Sequence, residues 1–193
     1  MAAGLLRVRD HRRRRLARGR VTDCFTKYEH GWHVAPTCTG ADAIEAVRLA
    51  IAEAERIGEA PLPQLLPVNP DTGDPVRIKL VTDDGGAFKD AAFASFIASR
   101  PALLHIRTGA VNPGQNEVRE RGFDSLKYEH LYRLRKQITT VEDLYREAEH
   151  YRGVFNHIRP HEALDFHRAI EVLADPPLHP IHKNQTGDLV PEA

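Results

Sequence analysis

The chain has 193 residues, enough for one well-packed domain with tails. Its apolar share is 41%. No run approaches the roughly 20 apolar residues that cross a bilayer, so no membrane-spanning segment is expected. Cys24 and Cys38 form neither a CxxC pair nor a zinc framework and are expected to be small buried or half-buried thiols. Nothing in this cysteine usage calls for an oxidising compartment, and the basic start lacks the apolar stretch of a signal peptide. A cytoplasmic protein is expected. The formal charge of +0 hides an asymmetry: residues 1–20 carry eight arginines and one acid, leaving 19 basic and 26 acidic residues beyond them, a net of −7. A head such as His11-Arg12-Arg13-Arg14-Arg15 commonly serves as a nucleic-acid-binding arm.

From Gly19 onward the pattern is an α/β alternation. Short β-rich runs at 21–25 and 31–35, separated by Thr26-Lys27-Tyr28-Glu29, predict a hairpin. Ile44, Val47, Leu49, Ile51 and Ala54 then space an amphipathic helix over 41–57, capped near Thr39 or Asp42 and stopped by Gly58. Five prolines at 61, 63, 67, 70 and 75 and the turn Asp71-Thr72-Gly73-Asp74 make 58–75 a loop. A strand over 76–82, a short helix over 89–99 with Phe93, Phe96 and Ile97 on one face, and a strand over 103–107 follow. After a loop with Gly109, Pro113 and Gly114, two helices are expected over 116–136 and 141–156. Prolines at 176, 177, 180 and 191 predict an extended tail over 173–193. No internal repeat and no second domain is evident.

Asp83 and Asp84 end the strand over 76–82, where α/β folds project acids into a crevice while the sheet holds their backbone. Gly85 and Gly86 allow a sharp exit and leave room for a substrate. Glu120 lies near the start of the helix over 116–136, with 36 residues between it and Asp83. Taken singly, an Asp-Asp-Gly-Gly is a turn signal and a Glu at a helix start complements the dipole. Taken together, residues 76–136 resemble the integrase core superfamily: Thr82-Asp83-Asp84-Gly85, then Pro113-Gly114-Gln115-Asn116-Glu117-Val118-Arg119-Glu120-Arg121, then Ser125-Leu126-Lys127. Upstream, Asp23-Cys24-Phe25-Thr26-Lys27-Tyr28 looks like the second strand of that fold. Downstream, Phe155-Asn156-His157-Ile158-Arg159-Pro160-His161-Glu162-Ala163-Leu164 is similar to the Tyr-Asn-x-x-Arg-Pro-His-x-Ala-Leu tail of bacterial insertion-sequence transposases.

The resemblance covers about residues 20–172 and implies a ribonuclease-H-like α/β core, a mixed sheet flanked by helices, over 21–172. It implies DNA integration or transposition by Asp-Asp-Glu chemistry, with Mg²⁺ or Mn²⁺ in a two-metal site. Hard cations take oxygen ligands, which is why such a site needs acids on rigid elements. Asp83 is then the second acid and Glu120 the third, both catalytic and metal-binding. Asn116, Arg119, Arg121 and Lys127 become DNA-binding residues, Lys127 lying two turns beyond Glu120 on one helix face. Arg133, Arg135 and Lys136 add charge to that helix; its arginines also suit an ordinary solvated surface. The implied partners are DNA, as element ends and target, and further copies of the chain in a homo-multimer. Two departures stand out: Asp84 occupies the family's Asn position and Glu117 its Gly position, both adding negative charge beside the acids. His157 and His161, four apart, have a zinc-compatible spacing, but Pro160 between them favours packing in a turn.

The family's first acid sits in a Trp-Gln-x-Asp on the first strand, roughly twenty residues before the stretch matched by 21–25, so Asp23 is not that acid. The chain offers Met1-Ala2-Ala3-Gly4-Leu5-Leu6-Arg7-Val8-Arg9-Asp10 there instead. With a suitable choice of codons, reading a family-like Trp-Gln-Leu-Asp-Phe-Ser-Glu-Phe-Glu-Thr one base early yields those ten residues. The resemblance therefore implies that 1–20 is an aberrant, out-of-frame basic segment, with Gly4 where the Asp would be coded and the first strand missing or disrupted. The expected function is that of a transposase core, inactive in this form. The alternative is a non-catalytic nucleic-acid- or partner-binding module on the same fold.

Overall fold

A computed structural model describes residues 2–9, 15–108, 130–134 and 137–175. Three antiparallel strands open the chain: β1 (Ala2–Arg9), β2 (Arg15–Thr22) and β3 (Glu29–Ala35). Helix α1 (Gly40–Gly58) follows, then a 3₁₀ turn at Leu62–Gln64 and strand β4 (Ile78–Thr82). Helices α2 (Gly86–Lys89) and α3 (Ala91–Ala98) lead into strand β5 (Leu103–Arg107). A helical stretch α4 (Tyr132–Leu134), helix α5 (Val141–His157), a 3₁₀ turn at Glu162–Leu164 and helix α6 (Ala169–Ala174) complete the described fold. The sheet order is β3-β2-β1-β4-β5, antiparallel on the β3 side of β1 and parallel from β1 to β5. This is the mixed sheet flanked by helices that the sequence predicted.

The first strand is formed, where the sequence led us to expect it missing or disrupted. Its ladder with β2 runs from Ala2–Thr22 to Arg9–Arg15. Its parallel junction with β4 is much slighter, registered among the described residues at Ala2–Val81. Strand pairing is made by backbone N–H and C=O groups, so an atypical side-chain pattern can still be taken into a sheet.

The second strand also differs from expectation: it ends at Thr22, and Asp23, Cys24 and Phe25 lie in the turn. The cause is local. Asp23 accepts hydrogen bonds from the Phe25 N–H (3.1 Å) and the Thr26 hydroxyl (2.9 Å), closing an Asx turn that competes with the ladder. Cys24 is consequently exposed rather than buried, while Cys38 is half-buried as expected.

Strand β3 shows how the layers form. Its alternate residues face opposite ways. Trp32 and Val34 join Leu131, Ile138, Leu144, Ala148, Tyr151 and Phe155 in a cluster beneath α4 and α5. On the other face, a Cβ at Gly31 would lie 3.2 Å from backbone atoms of Leu49 and Ala50, so α1 can seat this closely because residue 31 has no side chain. Under α1 the main core gathers Val21, Ala43, Val47, Ala50, Leu80, Phe88, Phe93, Phe96 and Leu103.

Helix α1 starts as its sequence reading has it, but Gly58, expected to stop it, lies inside the helix. Thr39 caps it in a reciprocal box with Asp42, and it gives way to Glu59 in the left-handed region (φ 51°). The helix expected over 89–99 begins instead at Gly86 and is broken at Asp90, whose extended backbone (ψ 136°) and side chain cap Ala92 N–H at 2.7 Å. Helix α5 is capped by Thr140 with Asp143 in the same reciprocal way. Helix α6 carries regular structure to Ala174, two residues into the segment expected to be an extended tail. Most of the helix expected over 116–136 lies outside the described residues.

Candidate functional site

Strand β4 ends at Thr82, which is wholly buried and clamps the strand end to its neighbour. Its hydroxyl lies 2.9 Å from His105 Nε2, and its carbonyl accepts both the N–H (2.9 Å) and the hydroxyl (3.0 Å) of Thr108. Burial, with the Arg107 guanidinium nearby, holds the His105 imidazole below its ordinary pKa, so it favours the neutral form. Phe93 packs edge-on against that ring at 5.2 Å.

From this fixed end Asp83 emerges half-buried, and its Oδ1 accepts the Gly85 N–H at 2.8 Å. A Cβ on Gly85 would fall 2.7 Å from the same oxygen, so glycine at 85 is what leaves the carboxylate its position. Asp84 is exposed and pairs with Lys89 (2.6 Å) and, at 4.0 Å, with Arg107. The extra negative charge expected beside Asp83 is therefore offset by two cations.

The register of the sheet bears on Gly4. Ala2 of β1 lies opposite Val81 of β4 in a parallel pair. Two residues further along each chain come Gly4 of β1 and Asp83, the first residue past β4, so continuing that register sets the two at one level. Glu120, Asn116, Arg119, Arg121 and Lys127 lie outside the described residues. Among the described residues no group of three or more His, Cys, Asp or Glu side chains is arranged to hold a metal ion. Asp83 alone is too small a donor set for a hard dication, which takes six or more oxygens.

No protein-family model matches the sequence, and no curated protein does either. Solved structures do match. A chain of the simian T-cell lymphotropic virus intasome, solved in complex with PP2A regulatory subunit B56 gamma, superposes with a TM-score of 0.64 at 17% identity, covering 100% of this chain and 56% of that one. The present chain thus spans little more than half of that protein's length. The BIV integrase catalytic core domain gives a TM-score of 0.60 at 14% identity, covering 91% of this chain and 94% of its own. The HTLV-2 integrase catalytic core domain, in a trimeric form with magnesium, gives 0.58 at 13%, covering 89% and 93%. The fold is that of an integrase catalytic core. It is the ribonuclease-H-like α/β class that the motifs around Asp83 implied.

Within this integrase-type core, the tail motif has a definite structural task. Asn156, fully buried near the end of α5, accepts from Glu29 N–H and donates to Glu29 C=O, each at 2.9 Å. Arg20 of β2 reaches the Glu29 carboxylate at 2.9 Å and donates to the Thr22 hydroxyl at 2.8 Å. Arg152, one turn before Asn156, bridges Glu149 (2.7 Å) and Glu53 of α1 (3.2 Å). Tyr28 completes the link, donating to Glu53 at 2.9 Å. Its phenol is pushed up to about 12, first by burial and then by the Glu53 carboxylate. Glu53 is drawn down to about 2, chiefly by the hydrogen bonds from Arg56 and despite its burial.

Sequence reasoning named Asn156 and Tyr28 as parts of motifs, without this role, and missed Arg20, Glu29, Glu53 and Arg152. Their signal was weak: each is an ordinary polar residue until the fold joins segments 127 positions apart. The histidines behave as packing groups. His157 stands edge-on to Tyr28 at 6.2 Å, while His161 Nε2 donates to the Phe155 carbonyl (3.0 Å) and the ring packs on that of Phe155 at 4.5 Å. No helix among the described residues is long and apolar enough to cross a membrane.

Proposed function

We propose that this chain is the core of a DNA transposase of the bacterial insertion-sequence kind, built for metal-dependent cleavage and strand transfer but impaired in this form. The observation that carries the reading is the Ala2–Val81 register of β1 on β4, which, continued by two residues, brings Gly4 level with Asp83 just past the end of β4 in an integrase-type fold. In this reading Asp83 and Glu120 are two of three carboxylates, and the third is lost at position 4. Asn116, Arg119, Arg121 and Lys127 face DNA, the partners are element ends, target and further copies of the chain, and the compartment is the cytoplasm. The core spans 21–172, followed by a tail over 173–193. Residues 1–20 are an out-of-frame segment that the sheet nonetheless accepts through its backbone. Mg²⁺ or Mn²⁺ would supply charge neutralisation at the phosphodiester. The described residues contribute one carboxylate to that site, so the reading depends on Glu120 and on an acid at position 4.

The test is Mn²⁺ binding by calorimetry, with strand transfer on a labelled DNA end. The unaltered chain should show neither tight binding nor turnover. Gly4→Asp should gain at least tenfold in Mn²⁺ affinity, and adding Asp83→Ala should remove the gain. Turnover by the unaltered chain, lost on Asp83→Ala, would overturn the claim of impairment. A Gly4→Asp chain no different from the original would overturn the placement of the missing acid.

A further inference from the structure

Helix α5 packs on β3, the edge strand three places along the sheet from β4, roughly 14 Å away at the usual strand spacing. Between α4 and α5 lies a cavity of about 360 Å³, lined by His130, Arg133, Tyr151, Val154, Phe155 and Arg159. That volume is at the lower end of what small-molecule sites occupy. Its chemistry is divided. Tyr151, Val154 and Phe155 form an apolar floor on successive turns of α5, while Arg133 and Arg159 are the two arginines of the lining. Among the described residues that line it there is no carboxylate.

The floor is rigid. The Tyr151 and Phe155 rings sit 5.9 Å apart, and Phe155 is held from the side by His161 at 4.5 Å and by the Arg20 guanidinium at 5.9 Å. His130 is oriented by Glu147, whose carboxylate lies 3.1 Å from its Nε2. Arg159 is set by its own backbone N–H, which donates to the Val154 carbonyl at 2.8 Å. Guanidinium groups match phosphate oxygens in a fork geometry, and aromatic and aliphatic carbon suits the flat body of a base.

We propose that this cavity binds a nucleotide unit, its phosphate held between Arg133 and Arg159 and its base against Tyr151, Val154 and Phe155. The unit comes either from a free nucleotide or from an unpaired position in a DNA strand; the shared chemistry is phosphate plus planar ring. The inference rests on the cavity's own residues and holds whether or not Asp83 belongs to a metal site.

The experiment titrates the full chain with a fluorescent deoxyadenosine monophosphate and with a labelled ten-nucleotide single strand, following anisotropy in metal-free buffer. At least one probe should bind, and Arg133→Ala should weaken it about tenfold while Arg77→Ala, an exposed arginine on another segment, leaves it unchanged. Val154→Trp, which fills the cavity without altering charge, should weaken binding likewise. If Val154→Trp fails to fold, as judged by circular dichroism, the Arg133 and Arg77 pair still decides. Equal affinity for the two probes identifies a free nucleotide as the ligand, and a strand bound tenfold tighter identifies DNA; both support the site. Absence of binding by both probes, or equal losses from Arg133→Ala and Arg77→Ala, would overturn it.

Discussion

Asn156 is a single side chain that satisfies two buried backbone groups of Glu29 at once, donating to one and accepting from the other. Removing it strands both, and each unmet buried group costs on the order of 1–3 kcal/mol. Asn156→Ala should therefore lower unfolding stability by about 2–4 kcal/mol, read as a shifted urea midpoint. Asn156→Asp keeps the acceptor and loses the donor, and a loss as large as that of alanine would show the two bonds do not act separately. Gly85 acts in the opposite way, by what it lacks. Gly85→Ala should displace the Asp83 carboxylate, because a Cβ would lie 2.7 Å from its Oδ1. That oxygen is the end of a mobile side chain, so melting should move by no more than about 2 °C while the Asp83 carboxyl ¹³C signal shifts clearly. Glu59 sits in the left-handed region at φ 51° as the residue closing α1. Glu59→Gly should raise stability by about 0.5 kcal/mol, the relief of a strained backbone less the added freedom of the unfolded chain.

Helix α5 depends on its start as well as on its end. Thr140 and Asp143 cap each other's backbone N–H groups, so Thr140→Ala should cost about 1 kcal/mol in thermal unfolding. At the other end of the element the ion-pair links to β3 and α1 give stability a pH dependence. His30 is buried and held down to about 4, chiefly by loss of solvent. Below pH 6.5 the unfolded chain gains a proton there that the folded chain refuses. Stability contributed by neutral His30 is thus present above pH 6.5 and lost as pH falls to about 4. Glu53, drawn down to about 2, extends the loss from pH 4.5 downward. Tyr28, pushed up to about 12, keeps its proton in the fold, so its contribution is present below pH 10 and lost as pH rises towards 12. Denaturation measured across pH should show these three limbs. His30→Gln should flatten the one between pH 6.5 and 4, and an unchanged slope there would show that the histidine is not its source.

At the scale of the whole molecule, the sheet joins two halves of different character. The antiparallel side, β3-β2-β1, is stitched to α5 by Glu29 and Asn156; the parallel side, β4-β5, carries Asp83. The slight β1–β4 junction is where these halves meet. Amide exchange should therefore be slow through Arg20 and Val21, which lie under or beside the two helical layers, and fastest in the sheet along β1 beyond Ala2. Uniformly slow exchange through β1 would contradict a weak junction.

The local elements were legible from sequence because their causes are local. The prolines between 61 and 75, the Thr39 cap, and the apolar pattern of 103–107 needed no tertiary information. The resemblance around Asp83 also led to the right class of fold. What could not be read was every feature that depends on distant partners. Atypical residues 2–9 became a strand because backbone groups pair whatever their side chains. One local cause was missed as well: Asp23 ended β2 early because its carboxylate found donors two and three residues away. Arg20 and Glu29 became a buried pair only when β2, β3 and α5 closed around them. Sequence alone determined which residue types could serve chemistry at the end of β4. Tertiary structure decided which of them share a level, a cavity or a hydrogen bond, because distance in space and exclusion of water are set by packing, not by order along the chain.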